Sequence, residues 1–408
     1  MKNQLNFIKI KQAALELANK TEKNKNEFLE YLSESLKRNK TAILKANKRD
    51  IQQAKKNKLS EAFIQRLTLD EKGLQNLQNK LTALQKLESG IGSILEQKIL
   101  DNDISLKKIS VPLGIILVIY EARPEVTIDV AALCIKSGNV AIIKGGSEAL
   151  NTNKTLYACI LEALTQTKMA QQTLSLIEDR ETVTKLLKKN ETIDLVIARG
   201  SYEMVKNIIN QSKIPVLSHS SGGARIYLDK SADLSKAIKI IINAKINKPA
   251  ACNSLDTVLI HEDIPNTFIL KLTNDLKKSG VKILGDDYIS KLAKTEKTTD
   301  WDTEFLGLTI SIKKIKNINE AIKFINKHTK KHSEGIIAED KNIIIKFTDN
   351  IDAAALFINC STRFHDGYEF GLGSEMGIAT GKFHARGPVG LKELTTYKWQ
   401  AYGNGQIR

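Results

Sequence analysis

Residues 111–144 read VPLGIILVIYEARPEVTIDVAALCIKSGNVAIIK, and their texture decides the fold class. VPLGIILVIY is an apolar run rich in β-branched side chains and reads as a strand. VTIDVAALCIKSG, from Val126, carries apolar residues at helical spacing, and VAIIK (140–144) is a second short strand. Strand, helix and strand in that order predict a mostly parallel sheet wrapped by helices.

The alternation continues outward from this unit. Downstream come a helix around Thr152–Leu164, a strand near Leu174–Ile177, the strand IDLVIA (193–198) and a helix from Tyr202 to Ile209. It restarts with strand Ala224–Leu228, helix Leu234–Ala244, strand Thr257–Ile260, helix Thr267–Lys278 and strand Val281–Leu284. FLGLTISIKK (305–314), a helix near Asn319–Asn326 and the strand EGIIAE (334–339) follow. Upstream, residues 1–100 read as helical, with apolar residues recurring through Ile8, Ala13, Leu15 and Leu17, then through 28–36 and 64–84. The tail is irregular from about 383 until the β-like TTYKWQAYG (395–403). The expected architecture is therefore α/β, with two α/β domains meeting near residue 223.

A chain of 408 residues, 42% hydrophobic and 26% charged, is long enough for two or three buried cores and too apolar for wholesale disorder. Its mean hydropathy is −0.24. No apolar run approaches the roughly 18–20 residues of a membrane span, and no secretory leader is visible in MKNQLNFIKIKQAALEL. A soluble cytoplasmic protein is expected, with no membrane and no nucleic-acid partner. The net charge of +16 points weakly to nucleic acid, because only 10 of the 62 basic residues are Arg and residues 1–60 alone hold 15 basic against 6 acidic side chains. Aromatic residues, at 5%, offer no stacking platform. A lysine-rich solvated surface accounts for the charge.

The candidate chemistry lies at turns. In VAIIKGGSEALNTN, Lys144 ends a strand, Gly145 and Gly146 let backbone N–H groups approach an anion, and Ser147 is placed to cap the next helix. In IDLVIARGSYEMVK, Arg199, Gly200 and Ser201 stand at the equivalent strand end. Two such turns at the carboxyl edge of one sheet suit a dinucleotide, although each alone also reads as a plain connector. The cysteines at 134, 159, 252 and 360 show no CxxC spacing, which argues against a zinc site or a disulfide framework. Cys134, Cys159 and Cys360 sit in apolar runs as small core residues. Cys252 differs: in NAKINKPAACNSLDT it follows a helix-ending Pro249, with two alanines before it, the polar Asn253 and Ser254 after it, and Lys248 nearby to favour thiolate. A buried cysteine at a domain seam is the bland alternative. Seven glycines between 367 and 390 imply crowded backbone, and Arg363 and Arg386 could each grip a carboxylate or phosphate or form a structural ion pair. His328 and His332 read as a solvated helix face, with no metal-ligand set.

Three segments together, residues 111–153, 243–257 and 359–399, resemble the gamma-glutamyl phosphate reductase family, a branch of the aldehyde dehydrogenase superfamily. The resemblance runs in order over essentially the whole chain. It implies an aldehyde dehydrogenase-like fold: a Rossmann-like cofactor-binding domain (1–101 and 113–223), an α/β catalytic domain (224–382) and a small oligomerisation β-flap (102–112 and 383–408). It also implies the reaction. Cys252 would attack the acyl phosphate of L-glutamyl 5-phosphate, expel phosphate and form a thioester, which hydride from NADPH would reduce to L-glutamate 5-semialdehyde in the second step of proline synthesis. The Cys252 N–H and Arg123, in the loop YEARPEV, would serve the oxyanion. Lys144, Gly145, Gly146 and Ser147 would hold the adenosine end of the cofactor, Arg199, Gly200 and Ser201 its pyrophosphate, and Glu304 (TEFLGL) the nicotinamide ribose. Asn253, Arg363 and Arg386 would bind substrate, and no metal is implied. Hydrolysing relatives carry a glutamate before a Gly-Gly pair; here HSSGGAR places Ser220 there, so hydrolysis should be slow. The family usually reads SRPNV where this chain has Ala122-Arg123-Pro124-Glu125-Val126, and DGICHVYVD where it has SGGARIYLD (221–229). The same resemblance implies a homo-oligomer, dimer or tetramer, and a glutamate kinase partner would suit so labile an intermediate. A reductase of another short acyl phosphate or aldehyde is the alternative.

Overall fold

The computed structural model describes residues 5–218 and 221–408. The chain divides into two compact units, Met1–Ser218 with Gly367–Gly377 and Pro388–Arg408, and His219–Asp366 with Ile378–Gly387.

The first unit is built on a five-stranded, wholly parallel sheet in the order Leu174–Leu176, Val140–Lys144, Ile115–Tyr120, Leu195–Arg199, Val216–Ser218. Every residue of Ile115–Tyr120 and Val140–Lys144 is buried, as strands covered on both faces require. The strand entry is fixed by polar side chains. Asn139 accepts from the Gly114 N–H (2.7 Å) and donates to the Leu394 carbonyl (2.8 Å), and Asp194 accepts from the Ile115 N–H (2.7 Å). Gly114 has φ +127°, and any Cβ there would run into the Asp194 carboxylate.

Five helices precede this sheet: Phe7–Ala18, Glu22–Arg38, Lys40–Lys56, Glu61–Leu67 and Glu71–Gln85. Asn6, Thr21, Ser60 and Asp70 cap four of them through their side chains. Their apolar stripes, such as Phe28, Leu29, Leu32 and Leu36, are buried.

One sequence expectation fails here. Ile94–Ile99, read as part of the helical stretch, is a strand paired antiparallel with Ser105–Pro112, whose other edge pairs with Thr395–Tyr402. All six of its residues are exposed, so no buried stripe marked it; its partners hold it in place. The turn between the two strands places Asp103 at φ +63°.

The second unit holds a seven-stranded sheet, again parallel, in the order Glu296–Lys297, Lys282–Gly285, Thr309–Ile315, Leu255–His261, Ala224–Leu228, Ser333–Ile337, Ala355–Ile358. Strand alternation splits its core in two. Ile226, Leu228, Val258 and Ile260 pack with Ile241 and Leu272 from the helices Leu234–Ile246 and Asn266–Lys278. Tyr227, Leu259 and Ile315 pack instead with Ile325 and Phe347, from Ile318–His328 and Lys341–Asn350. His332 is not on a helix face as expected: it precedes the strand Ser333–Ile337, fully buried, its Nδ1 2.8 Å from the Ser333 hydroxyl. Among the described residues no helix is long and apolar enough to cross a membrane.

Candidate active site

In the first unit, the carboxyl ends of the strands Ile115–Tyr120 and Val140–Lys144 open on a cleft of about 570 Å³. Lys144, Gly146, Ser147 and Ser201 line it, joined by Arg180 and Lys206 from the helices Arg180–Leu186 and Tyr202–Gln211. Lys144 is largely buried; desolvation, then the charge of Arg180, pushes its ammonium below the ordinary lysine range, against the pull of Glu148 and Glu121. Three cations, Lys144, Arg180 and Lys206, line the cleft with three carboxylates, Glu121, Glu148 and Glu203, and Lys144 and Arg180 lie close enough to suit a phosphate group. Arg180 escaped the sequence reading because EDRETVTKL has no apolar periodicity. Its one signal is Asp179, whose side chain caps the short helix by accepting from the Thr182 N–H.

The two turns differ from expectation in detail. Ser147 makes no capping bond; it opens a single 3₁₀ turn, and the following helix, Leu150–Gln166, has its first amides held by Asp50, which accepts from the N–H groups of Asn151 (3.3 Å) and Thr152 (2.8 Å). That helix N-terminus is therefore filled by the protein's own carboxylate. At the second turn, the Ser201 N–H donates to Glu121 (2.7 Å). Arg199 does not line the cleft: its guanidinium donates to the Met376 carbonyl (3.1 Å). Gly145 and Gly200 stand beside the lining, where a Cβ would meet the Asn153 amide and the Glu121 carboxylate respectively. Arg123 lies 3.8 Å from the Glu125 carboxylate in the loop leading to helix Val126–Lys136.

In the second unit, Cys252 lies, partly exposed, in the turn between helix Leu234–Ile246 and strand Leu255–His261. The Gly223 N–H donates to the Cys252 carbonyl (2.6 Å). A Cβ at Gly222 would stand 2.5 Å from the Cys252 Cβ, its carbonyl oxygen and the Glu304 Oε1 alike, so only glycine lets these two residues share that space. The structure thus brings Cys252 and Glu304 together. Ser220 lies outside the described residues.

The expected substrate ligands are otherwise engaged. Asn253 is buried, donates from Nδ2 to the His365 carbonyl (2.9 Å), and accepts at its own carbonyl from Thr362 (2.8 Å), tying down the cysteine turn. Arg363 donates to Asn247 (3.3 Å). Arg386 pairs with Asp352 (2.7 Å), which Lys331 and Lys382 also approach; Arg386 above all holds that carboxyl down at about 2. Arg225 is buried opposite Glu334, 3.4 Å away on the neighbouring strand, and burial pushes the Glu334 carboxyl up to about 7.

Of the other cysteines, Cys134 and Cys159 are buried, and burial pushes both thiols up. Cys360, expected in the core, is only half-buried because it follows the edge strand Ala355–Ile358.

Two parallel α/β units, one with a polar cleft at its strand ends and one with a cysteine turn, are the parts of an aldehyde dehydrogenase, and a profile of the aldehyde dehydrogenase family matches residues 9–287. The chain belongs to that family. Within it, gamma-glutamyl phosphate reductase of Nautilia profundicola is 39% identical over 404 residues, covering 98% of each chain, and that of Clostridium tetani is 41% identical over 415, covering 98% and 97%. The crystal structure of the Thermotoga maritima gamma-glutamyl phosphate reductase superposes with a TM-score of 0.92 at 37% identity over 98% of each chain. This chain is a member of the gamma-glutamyl phosphate reductase family, and hence an oxidoreductase. An acetylating aldehyde dehydrogenase of Geobacillus thermoglucosidasius, 18% identical with a TM-score of 0.73, shares the fold.

Proposed function

We propose that the chain reduces L-glutamyl 5-phosphate to L-glutamate 5-semialdehyde and phosphate with NADPH, through a thioester on Cys252, as the second step of proline synthesis. The observation that carries this reading is the meeting of Cys252 and Glu304 across Gly222 in a chain of this family. The Cys252 thiolate forms a C–S bond to the acyl carbon while the C–O bond to phosphate breaks and phosphate leaves. The Cys252 N–H, with Arg123, stabilises the oxyanion of that step. Lys144, Ser147, Arg180 and Ser201 fit the adenosine and phosphate end of the cofactor, and the paired cations Lys144 and Arg180 favour the additional 2′-phosphate of NADP. Glu304 takes the nicotinamide ribose. When bound, NADPH supplies the hydride that releases the aldehyde from the thioester. Asn253 and Arg199 act by holding their loops, and Arg363 and Arg386 by their bonds to Asn247 and Asp352.

Self-association is part of the proposal. The antiparallel sheet is exposed on both faces, with Tyr397 and Trp399 on one and Ile94 and Ile99 on the other, and these apolar side chains suit contact with a second copy.

The decisive assay runs the reaction backwards, following NADPH formation from glutamate semialdehyde and NADP with and without phosphate. Strictly phosphate-dependent turnover, absent in C252A, is the expected result. Phosphate-independent turnover would mean hydrolysis of the thioester, and no turnover would mean another aldehyde.

A further inference from the structure

Four residues beyond Cys252, in the strand Leu255–His261, Asp256 is almost completely buried. Its carboxylate bonds one stretch of chain and lies close beside another. Oδ1 accepts from the Phe305 N–H (3.4 Å), and Oδ2 would be 2.8 Å from a Cβ at Gly223. These stretches flank the cysteine: Gly223 is bonded to the Cys252 carbonyl, and Phe305 follows Glu304, whose carboxylate shares the Gly222 space with Cys252. From helix Leu234–Ile246 the fully buried Lys245 brings its Nζ to 3.5 Å from Asp256 and 5.9 Å from the Phe305 ring centroid. A buried ion pair costs desolvation that apolar residues of the same size would avoid, so stability is a poor reason for it. Its location offers a better one.

We propose that Asp256, paired with Lys245, is a positioning residue that holds the 304–305 stretch against the 222–223 turn and so sets Glu304 beside Cys252. The inference rests on the reading of Glu304 as the ribose ligand. Asp256 then governs cofactor grip without touching the cofactor. Burial pushes its carboxyl up to about 6, opposed by Lys245 and by Arg225 from the neighbouring strand. The charges around it are thus Lys245 on the helix and Arg225 on the strand, the latter already paired with Glu334. Protonation below about pH 6 would loosen the brace.

The test is a mutant cycle read by NADPH fluorescence titration, with amide hydrogen exchange at Phe305 in the ligand-free protein. D256A is expected to weaken NADPH binding at least ~10-fold and to speed Phe305 exchange by a similar factor. D256E should restore binding to within about threefold, because it returns a carboxylate to Lys245. E304A should weaken binding comparably, and D256A/E304A should lose no more than E304A alone, since Asp256 acts through Glu304. If D256A does not fold, K245M/D256N, which removes both buried charges together, must give the same pattern. Unchanged binding in D256A, or losses that multiply in the double variant while E304A alone is impaired, overturns the brace and leaves the function standing. Unchanged binding in E304A overturns the ribose assignment itself, and the brace with it.

Discussion

At the residue scale, the site depends on what is missing as much as on what is present. Gly222 has no side chain, and that empty volume is where Cys252 and Glu304 meet. G222A is expected to leave the chain folded but lower turnover at least about 100-fold, because a displacement near 1 Å at the reacting atoms has that scale of effect. The phosphate-dependent reverse assay, alongside a thermal melt, checks both halves. Arg180 makes a separate demand. If it grips the 2′-phosphate, R180A should raise KM for NADP by about 10–100-fold and leave KM for NAD nearly unchanged; equal changes for the two cofactors would remove that role. The places of Cys252 in a turn and Lys144 at a strand end were legible from sequence, because a proline follows the helix before the one and an apolar run ends at the other. Arg180 was not, since a polar seven-residue helix resembles a loop until its neighbours are placed. Arg386 read two ways, as a ligand or as an ion pair. Its fork suits a carboxylate, but the carboxylate it holds belongs to Asp352, 34 residues earlier.

At the scale of elements, polar side chains that fasten strand and helix ends decide where the cleft opens. Asn139 stitches the start of the strand Ile115–Tyr120 to the carbonyl of Leu394, just before the strand Thr395–Tyr402. N139A orphans the half-buried Gly114 N–H and takes one of two donors from the Leu394 C=O, which keeps the Leu113 N–H (3.3 Å), so it should cost about 1–3 kcal/mol in chemical denaturation. A cost well under about 1 kcal/mol would mean water replaces the side chain. Buried parallel strands were easy to read, because a run such as VAIIK is apolar on both faces. Ile94–Ile99 was hard, because ILEQKI buries nothing and its identity as a strand comes from residues 105–112. Likewise Asp50 closes the N-terminus of Leu150–Gln166 across about a hundred residues, a separation no local pattern reveals.

At the scale of the whole molecule, two buried acids shape the response to pH. Asp256 and Glu334 have carboxyls raised to about 6 and about 7, both by burial. The folded chain therefore holds those protons more tightly than the unfolded chain, and the penalty for ionising them sets in as pH rises from about 4 to about 7. For Glu334 this predicts that the wild type loses more thermal stability between pH 5 and pH 8 than E334Q does; parallel curves would show that the charge is compensated. The four cysteines carry a further consequence. Cys134 and Cys159 are sealed in the core with raised thiols, while Cys252 and Cys360 are half-buried, burial raising the Cys360 thiol as well. An electrophile offered to the native chain thus has two sulfurs to find, against four once the fold is lost, and C252A subtracts one of the two. Intact-mass adduct counting becomes a titrant for working sites, independent of any assay of turnover.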